Sequence, residues 1–120
     1  MKKGTLLLAE DDEIIRIMMT RFLEVSGYEV IPSADKNEAI ENYKSVDGKV
    51  DMILTDMQMP LANDGIKLIE NLREIGYNKP TILCSGSVES WHFNFFDAVI
   101  AKPIKHGDLL GIIESLLHLI

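Results

Sequence analysis

Short apolar runs alternate along this chain with longer stretches of helical period. Thr5 to Ala9 is a brief run of a length suited to a strand buried on both faces. From Glu13 to Val25 the period changes. Ile15, Met18, Met19, Phe22 and Leu23 fall on one side, and Glu13, Arg16, Thr20 and Glu24 fall opposite. That spacing predicts an amphipathic helix, with Gly27 as its stop. Tyr28 to Ile31 reads as a second strand closed by Pro32. A second helix is expected from about Lys36 to Ser45, N-capped by Asp35. The alternation continues with a strand over Val50 to Thr55, a helix over Gly65 to Ile75 and a strand over Thr81 to Cys84. A fifth strand covers Ala98 to Ala101, and a last helix runs from about Lys105 to the end. Little chain lies between Ser85 and the fifth strand, so the fourth helix is limited to one or two turns between Val88 and Phe95.

Strand–helix alternation repeated in this way predicts an α/β fold with a parallel sheet covered on both faces by helices. Right-handed crossovers and short connections favour a doubly wound sheet. Ligands of such sheets gather at the carboxyl ends of the strands, near the point where strand order reverses. Glu10, Asp11 and Asp12 follow the first strand, Asp56 ends the third, Ser85 the fourth and Lys102 the fifth. The chemistry therefore collects on one edge.

Composition narrows the function classes. With 47% apolar and 26% charged residues, the 120-residue chain is expected to be one globular domain over residues 1–120. A net charge of -7, with no basic run beyond two residues, argues against direct nucleic-acid binding. Lys2 and Lys3 precede an apolar run that is cut off by Glu10-Asp11-Asp12-Glu13. It is too short for a signal peptide, and a membrane span needs ~20 residues, so no membrane association is expected. The single cysteine, Cys84, has no internal partner and fits a reducing, cytoplasmic location.

The first and third strands should be neighbours, so Asp56 would face Glu10 and Asp11 across a small cleft. Crowded carboxylates repel one another, and a hard divalent cation relieves them. Magnesium takes one or two carboxylates and keeps further positions for water and phosphate oxygens. Acids after a buried strand can also serve only to cap the next helix, and Asp12 reads as such a cap or as a solvated charge. Cys84 reads as a small apolar strand residue. His92, His106 and His118 have no ligand spacing and are expected at the surface. Trp91, Phe93, Phe95 and Phe96 are expected to pack.

Four motifs then fall in register: Leu7-Leu8-Ala9-Glu10-Asp11-Asp12, Asp56-Met57-Gln58-Met59-Pro60, Ser85-Gly86 and Lys102-Pro103. Together they resemble the signature of response-regulator receiver domains over the whole chain. The resemblance implies a flavodoxin-like (βα)5 fold with strand order 2-1-3-4-5 and a shortened or distorted fourth helix. It implies that Asp56 accepts a phosphoryl group from a histidine kinase or histidine phosphotransfer protein. Glu10, Asp11, Asp56 and the backbone carbonyl of Gln58 would hold Mg2+, while Ser85 and Lys102 would meet the phosphoryl oxygens. The Lys102-Pro103 peptide would be cis. The domain would be a signalling phosphoacceptor that catalyses only its own phosphorylation and dephosphorylation.

Three departures from the family pattern matter. Val99 stands where an aromatic usually reports phosphorylation, so a switch by aromatic reorientation is not expected, although Ser85 could still move. The segment from Ser85 to Lys102 is several residues shorter, with Phe95-Phe96 replacing a glycine-alanine approach, which implies an unusual partner or dimer mode. The loop Leu61-Ala62-Asn63-Asp64-Gly65 is one residue longer and lies beside the expected metal carbonyl. On the last helix, Leu109, Ile112, Ile113, Leu116, Leu117 and Ile120 form a core stripe. Leu110 and Leu119 widen it; they either pack locally or form a homodimer or partner surface on this helix. Ile14 and Ile17 point away from the core face of the first helix, in the region where receivers dock the histidine-bearing bundle.

Two other functions compete. A receiver-like interaction module that works without phosphorylation would fit Val99 and the short fourth helix, but has no need of a cluster of like charges. A phosphatase of the haloacid dehalogenase type would want a second acid where Gln58 stands, and a cap domain for which there is no room.

Overall fold

Five parallel strands, β1 (Thr5–Ala9), β2 (Glu29–Ser33), β3 (Met52–Asp56), β4 (Thr81–Ser85) and β5 (Ala98–Ala101), pair in the order β2-β1-β3-β4-β5. They alternate with helices α1 (Glu13–Val25), α2 (Lys36–Ser45), α3 (Asp64–Glu74), α4 (His92–Phe95) and α5 (His106–His118). The structure is a computed structural model and describes residues 2–118. The doubly wound sheet expected from the sequence is the one observed.

Alternation along β1 explains its unbroken apolar run. Leu6 and Leu8 face a core that holds Met19 and Leu23 of α1 with Leu109 and Ile113 of α5. Leu7 and Ala9 face the opposite core, with Ala39 and Tyr43 of α2 and Leu68 and Leu72 of α3. A strand buried on both faces has no position left for a polar residue. The helix starts are set locally, as read from the sequence. Asp12 accepts the Ile15 N–H at 3.0 Å, and Asp35 accepts the Glu38 N–H at 2.8 Å, while Glu38 reaches back to the Ala34 N–H at 2.7 Å.

Several boundaries and burials differ from the sequence pattern, each for a packing reason. Pro32 does not close β2 but lies inside it, opposite Leu8. An edge strand tolerates proline because the missing N–H faces away from the one neighbouring strand. Tyr28 precedes β2 and is buried. Met18, assigned to the core side of α1, is 56% exposed. His92, assigned to the surface, is buried, and its Nδ1 accepts the Glu89 N–H at 3.0 Å. Conversely, Trp91 and Phe93 are exposed rather than packed, while Phe95 and Phe96 do join the core around α3. Leu110 packs against the α1–α5 core instead of widening an outer face. Leu119 and Ile120, assigned to the same helix, lie outside the described residues. Helix α4 is a single turn, as the short segment requires. Among the described residues no helix is long and apolar enough to cross a membrane.

Candidate functional site

Strand order reverses between β1 and β3, which pair directly with Ala9 opposite Thr55. The residues that follow these two strands therefore open into one crevice. Glu10, Asp11 and Asp56 each bring a carboxylate oxygen there, all within 4.8 Å of one another. Glu10 is almost fully buried, and Asp11 is exposed at the rim. Asp56 keeps one oxygen on the Met57 N–H at 2.9 Å.

Lys102 enters from the end of β5. Its ammonium lies 3.0 Å from Glu10 Oε1 and 3.0 Å from Asp56 Oδ2. Its backbone N–H donates to the Ser85 carbonyl at 2.8 Å, tying the ends of β4 and β5 together. The Lys102-Pro103 peptide is cis, as expected, and Met59-Pro60 is cis as well. Burial holds the Glu10 carboxyl up at about 7, against the pull of the Asp12 N–H and of Lys102. Burial alone would lower the Lys102 ammonium, but its hydrogen bonds to Asp56 and Glu10 carry it above the ordinary lysine value. The donor set is hard oxygen with open positions at its rim, which suits magnesium. The three acids carry more charge than one ammonium neutralises, so a divalent cation fits the arrangement.

Ser85 ends β4 and lines the same depression of about 630 Å³, as does Gln58. The serine hydroxyl donates to the Ser87 carbonyl at 2.7 Å and accepts the Ser87 N–H at 3.2 Å. Thus all six sequence-identified residues line or adjoin one crevice. Val99 is half-buried in the α2–α3 core, opposite Leu83 of β4. In the longer loop after Pro60, Asn63 takes a left-handed conformation and Asp64 is buried, accepting the Leu61 N–H at 3.1 Å.

Three contributors escaped the sequence reading. Glu89, Trp91 and His92, at and just before the start of the single-turn α4, form a wall of the depression. Arg16, placed only on the polar side of α1, folds back onto the loop that carries the acids. Gly65, read as turn chemistry, packs against the backbone of Asp56. The Asp64-Gly65 pair was a signal for close approach; nothing local marked the other two.

Comparisons with known proteins bear on the family and the fold. A family model described as response regulator receiver domain matches residues 6–114. The sensor kinase CckA of Brucella abortus (strain 2308) is 35% identical over 86 residues, 72% of this chain and 9% of that protein. The alkaline phosphatase synthesis transcriptional regulatory protein PhoP of Bacillus subtilis (strain 168) is 30% identical over 105 residues, 88% of this chain and 40% of that protein. The chain spans less than half the length of these curated relatives. Among solved structures, the receiver domain of a hybrid histidine kinase CckA superposes with a TM-score of 0.82 at 28% identity, covering 95% of this chain and 99% of that one. A response regulator receiver protein from Sinorhizobium medicae WSM419 gives 0.83 at 29% identity, covering 96% and 94%.

Proposed function

This chain belongs to the response regulator receiver domain family of two-component systems, and on that premise we propose that Asp56 is its phosphoacceptor. The donor is a phosphohistidine of a kinase or phosphotransfer protein. The N–P bond of the donor breaks as an O–P bond to an Asp56 oxygen forms, and the histidine nitrogen leaves with the electron pair. Asp56 needs no general base, because a carboxylate oxygen carries no proton to remove.

The remaining residues align and neutralise. Phosphoryl transfer passes through a loose transition state with charge spread over the equatorial oxygens. Lys102, already 3.0 Å from the Asp56 carboxylate, is placed to meet that charge. The Ser85 hydroxyl turns from the Ser87 carbonyl to a phosphoryl oxygen, which makes the Ser85–Ser87 loop the first segment to register the event. Glu10, Asp11, Asp56 and the backbone carbonyl of Gln58 would hold Mg2+, which supplies positive charge shared between protein and phosphoryl oxygens. The exposed apolar residues Ile14, Ile17 and Met18 flank this edge on α1 and offer a surface for the histidine-bearing partner. The lone buried thiol of Cys84 fits the reducing cytoplasm in which the proposal places this exchange.

The observation that carries the reading is the Lys102 bridge between Glu10 and Asp56 beside a third carboxylate. Its test is incubation with acetyl phosphate, with and without magnesium, followed by intact mass. A magnesium-dependent gain of one phosphoryl group, absent from Asp56→Asn, is expected. No gain from either acetyl phosphate or a phosphohistidine donor would move the assignment to an interaction module that works without phosphorylation.

A further inference from the structure

The acids of the crevice sit on a loop, and a loop must be held if it is to present them. Between the end of β1 and the start of α1, the backbone carbonyls of Glu10 and Asp11 lie outside the helix, whose first hydrogen bond runs from the Arg16 N–H to the Asp12 carbonyl at 2.9 Å. Both carbonyls are instead met by one side chain. Arg16 Nη1 donates to the Glu10 carbonyl at 2.8 Å and approaches the Asp11 carbonyl at 3.4 Å.

These contacts complete the loop. The Glu10 N–H donates to the Ser33 carbonyl at 3.0 Å, and the Asp12 N–H donates to Glu10 Oε2 at 3.1 Å. With the Glu10 carbonyl held and the Asp11 carbonyl within reach of the same group, the peptide planes on both sides of Asp11 are restrained, and so is the direction in which its side chain leaves the backbone. A guanidinium that reaches a loop bearing two of the acids would ordinarily form an ion pair. Among the described residues Arg16 forms none, and the acids at this edge are paired only by Lys102. Its hydrogen bonds go to carbonyls, so it takes up no carboxylate oxygen of the crevice.

We propose that Arg16 is a positioning residue for the cation site, holding the Glu10–Asp11 backbone so that both carboxylates face the crevice. The inference rests on the reading that these acids hold Mg2+. Two effects of Arg16 oppose each other. Its positive charge repels a cation, and its donors preorganise the ligands. Partners of metal ligands that orient them typically contribute 10–100-fold to affinity, whereas the charge of the half-buried Arg16 acts across the loop backbone and is partly screened by salt. Preorganisation therefore wins.

The test is magnesium titration by calorimetry of the wild type, Arg16→Met, Arg16→Gln and Asp11→Asn, with urea unfolding of each in EDTA. Arg16→Met removes donors and charge and is expected to bind magnesium about tenfold more weakly. Arg16→Gln removes the charge but keeps a side-chain donor, so it should recover part of that loss, and its solubility keeps the test alive if the Met variant does not fold. Unchanged or tighter binding in both variants, with wild-type binding intact, would overturn the proposal and leave charge repulsion as the role of Arg16. A fall in affinity matched by an equal loss of metal-free stability would also overturn it, since that marks a purely structural role. If the wild type itself took up no magnesium, or bound it as well with Asp11→Asn, the underlying site assignment would be what failed.

Discussion

Gly65, in the first turn of α3, lies so close to Asp56 that a β-carbon on it would overlap the Asp56 carbonyl oxygen. Its N–H donates to the Met57 carbonyl at 2.9 Å, so helix and strand end meet backbone to backbone. The placement of the acid at the end of β3 thus depends on a missing side chain one loop away. Gly65→Ala must push α3 off the strand and is expected to lower stability by about 1–3 kcal/mol. Magnesium affinity should fall with it. Urea unfolding and calorimetry check both, and an alanine variant as stable as the wild type would show that this contact gives way freely.

Gly111, on the exposed side of α5, provides the opposite case. A β-carbon there meets nothing within 4 Å, and the residue sits inside a regular helix. Gly111→Ala should raise stability by about 0.5–1 kcal/mol through helix propensity alone. A decrease in the urea midpoint would count against the packing described for α5.

The Glu10 carboxyl is harder to ionise in the folded chain, at about 7, than at its ordinary value of 4.5, because it is buried. A raised carboxyl binds its proton more tightly in the folded state. Its contribution to stability is therefore full below the ordinary value and is lost as pH climbs from there to about 7. Lys102, raised above the ordinary lysine value, keeps its contribution throughout that window. Urea midpoints in EDTA should fall across it, and Glu10→Gln should flatten the profile. A wild-type profile as flat as that of the variant would rule out Glu10 as the cause.

Cys84 lies on β4 beside the crevice but is buried, and burial pushes its thiol up to about 12. Little thiolate forms near neutral pH, so the native chain should resist a thiol-specific disulfide reagent at about pH 8 and react fully once unfolded. Rapid labelling of the folded chain would show that β4 opens on the timescale of the assay.

On α1, Ile14 is 70% exposed and Ile17 46%. If this face receives the phosphohistidine donor, Ile17→Asp should slow transfer from a protein donor on the order of tenfold, about 1.4 kcal/mol of docking energy. Phosphorylation by acetyl phosphate should be unchanged, because a small donor needs no docking face. Equal losses with both donors would place the defect in the crevice instead.

Much of this architecture is local and was therefore legible in the chain. The apolar run of β1, the single-sided period of α1 and the aspartates at positions 12 and 35 act within a few residues of themselves. Strand and helix periods report most of the burial, with Met18 of α1 an exception. The acids were found because polar residues at strand ends stand out from apolar runs.

The rest was decided by contacts between distant segments. Lys102 joins Glu10 and Asp56 only because sheet order brings the ends of β5, β1 and β3 to one edge. Pro32 sits within a strand because β2 is at the sheet edge, and His92 is buried because a single-turn α4 draws it inward. Arg16 reads from sequence as one more residue on a polar helix face. Its partners are carbonyls, which every residue carries, so sequence cannot mark them, and only the turn of the loop before α1 brings them to the guanidinium.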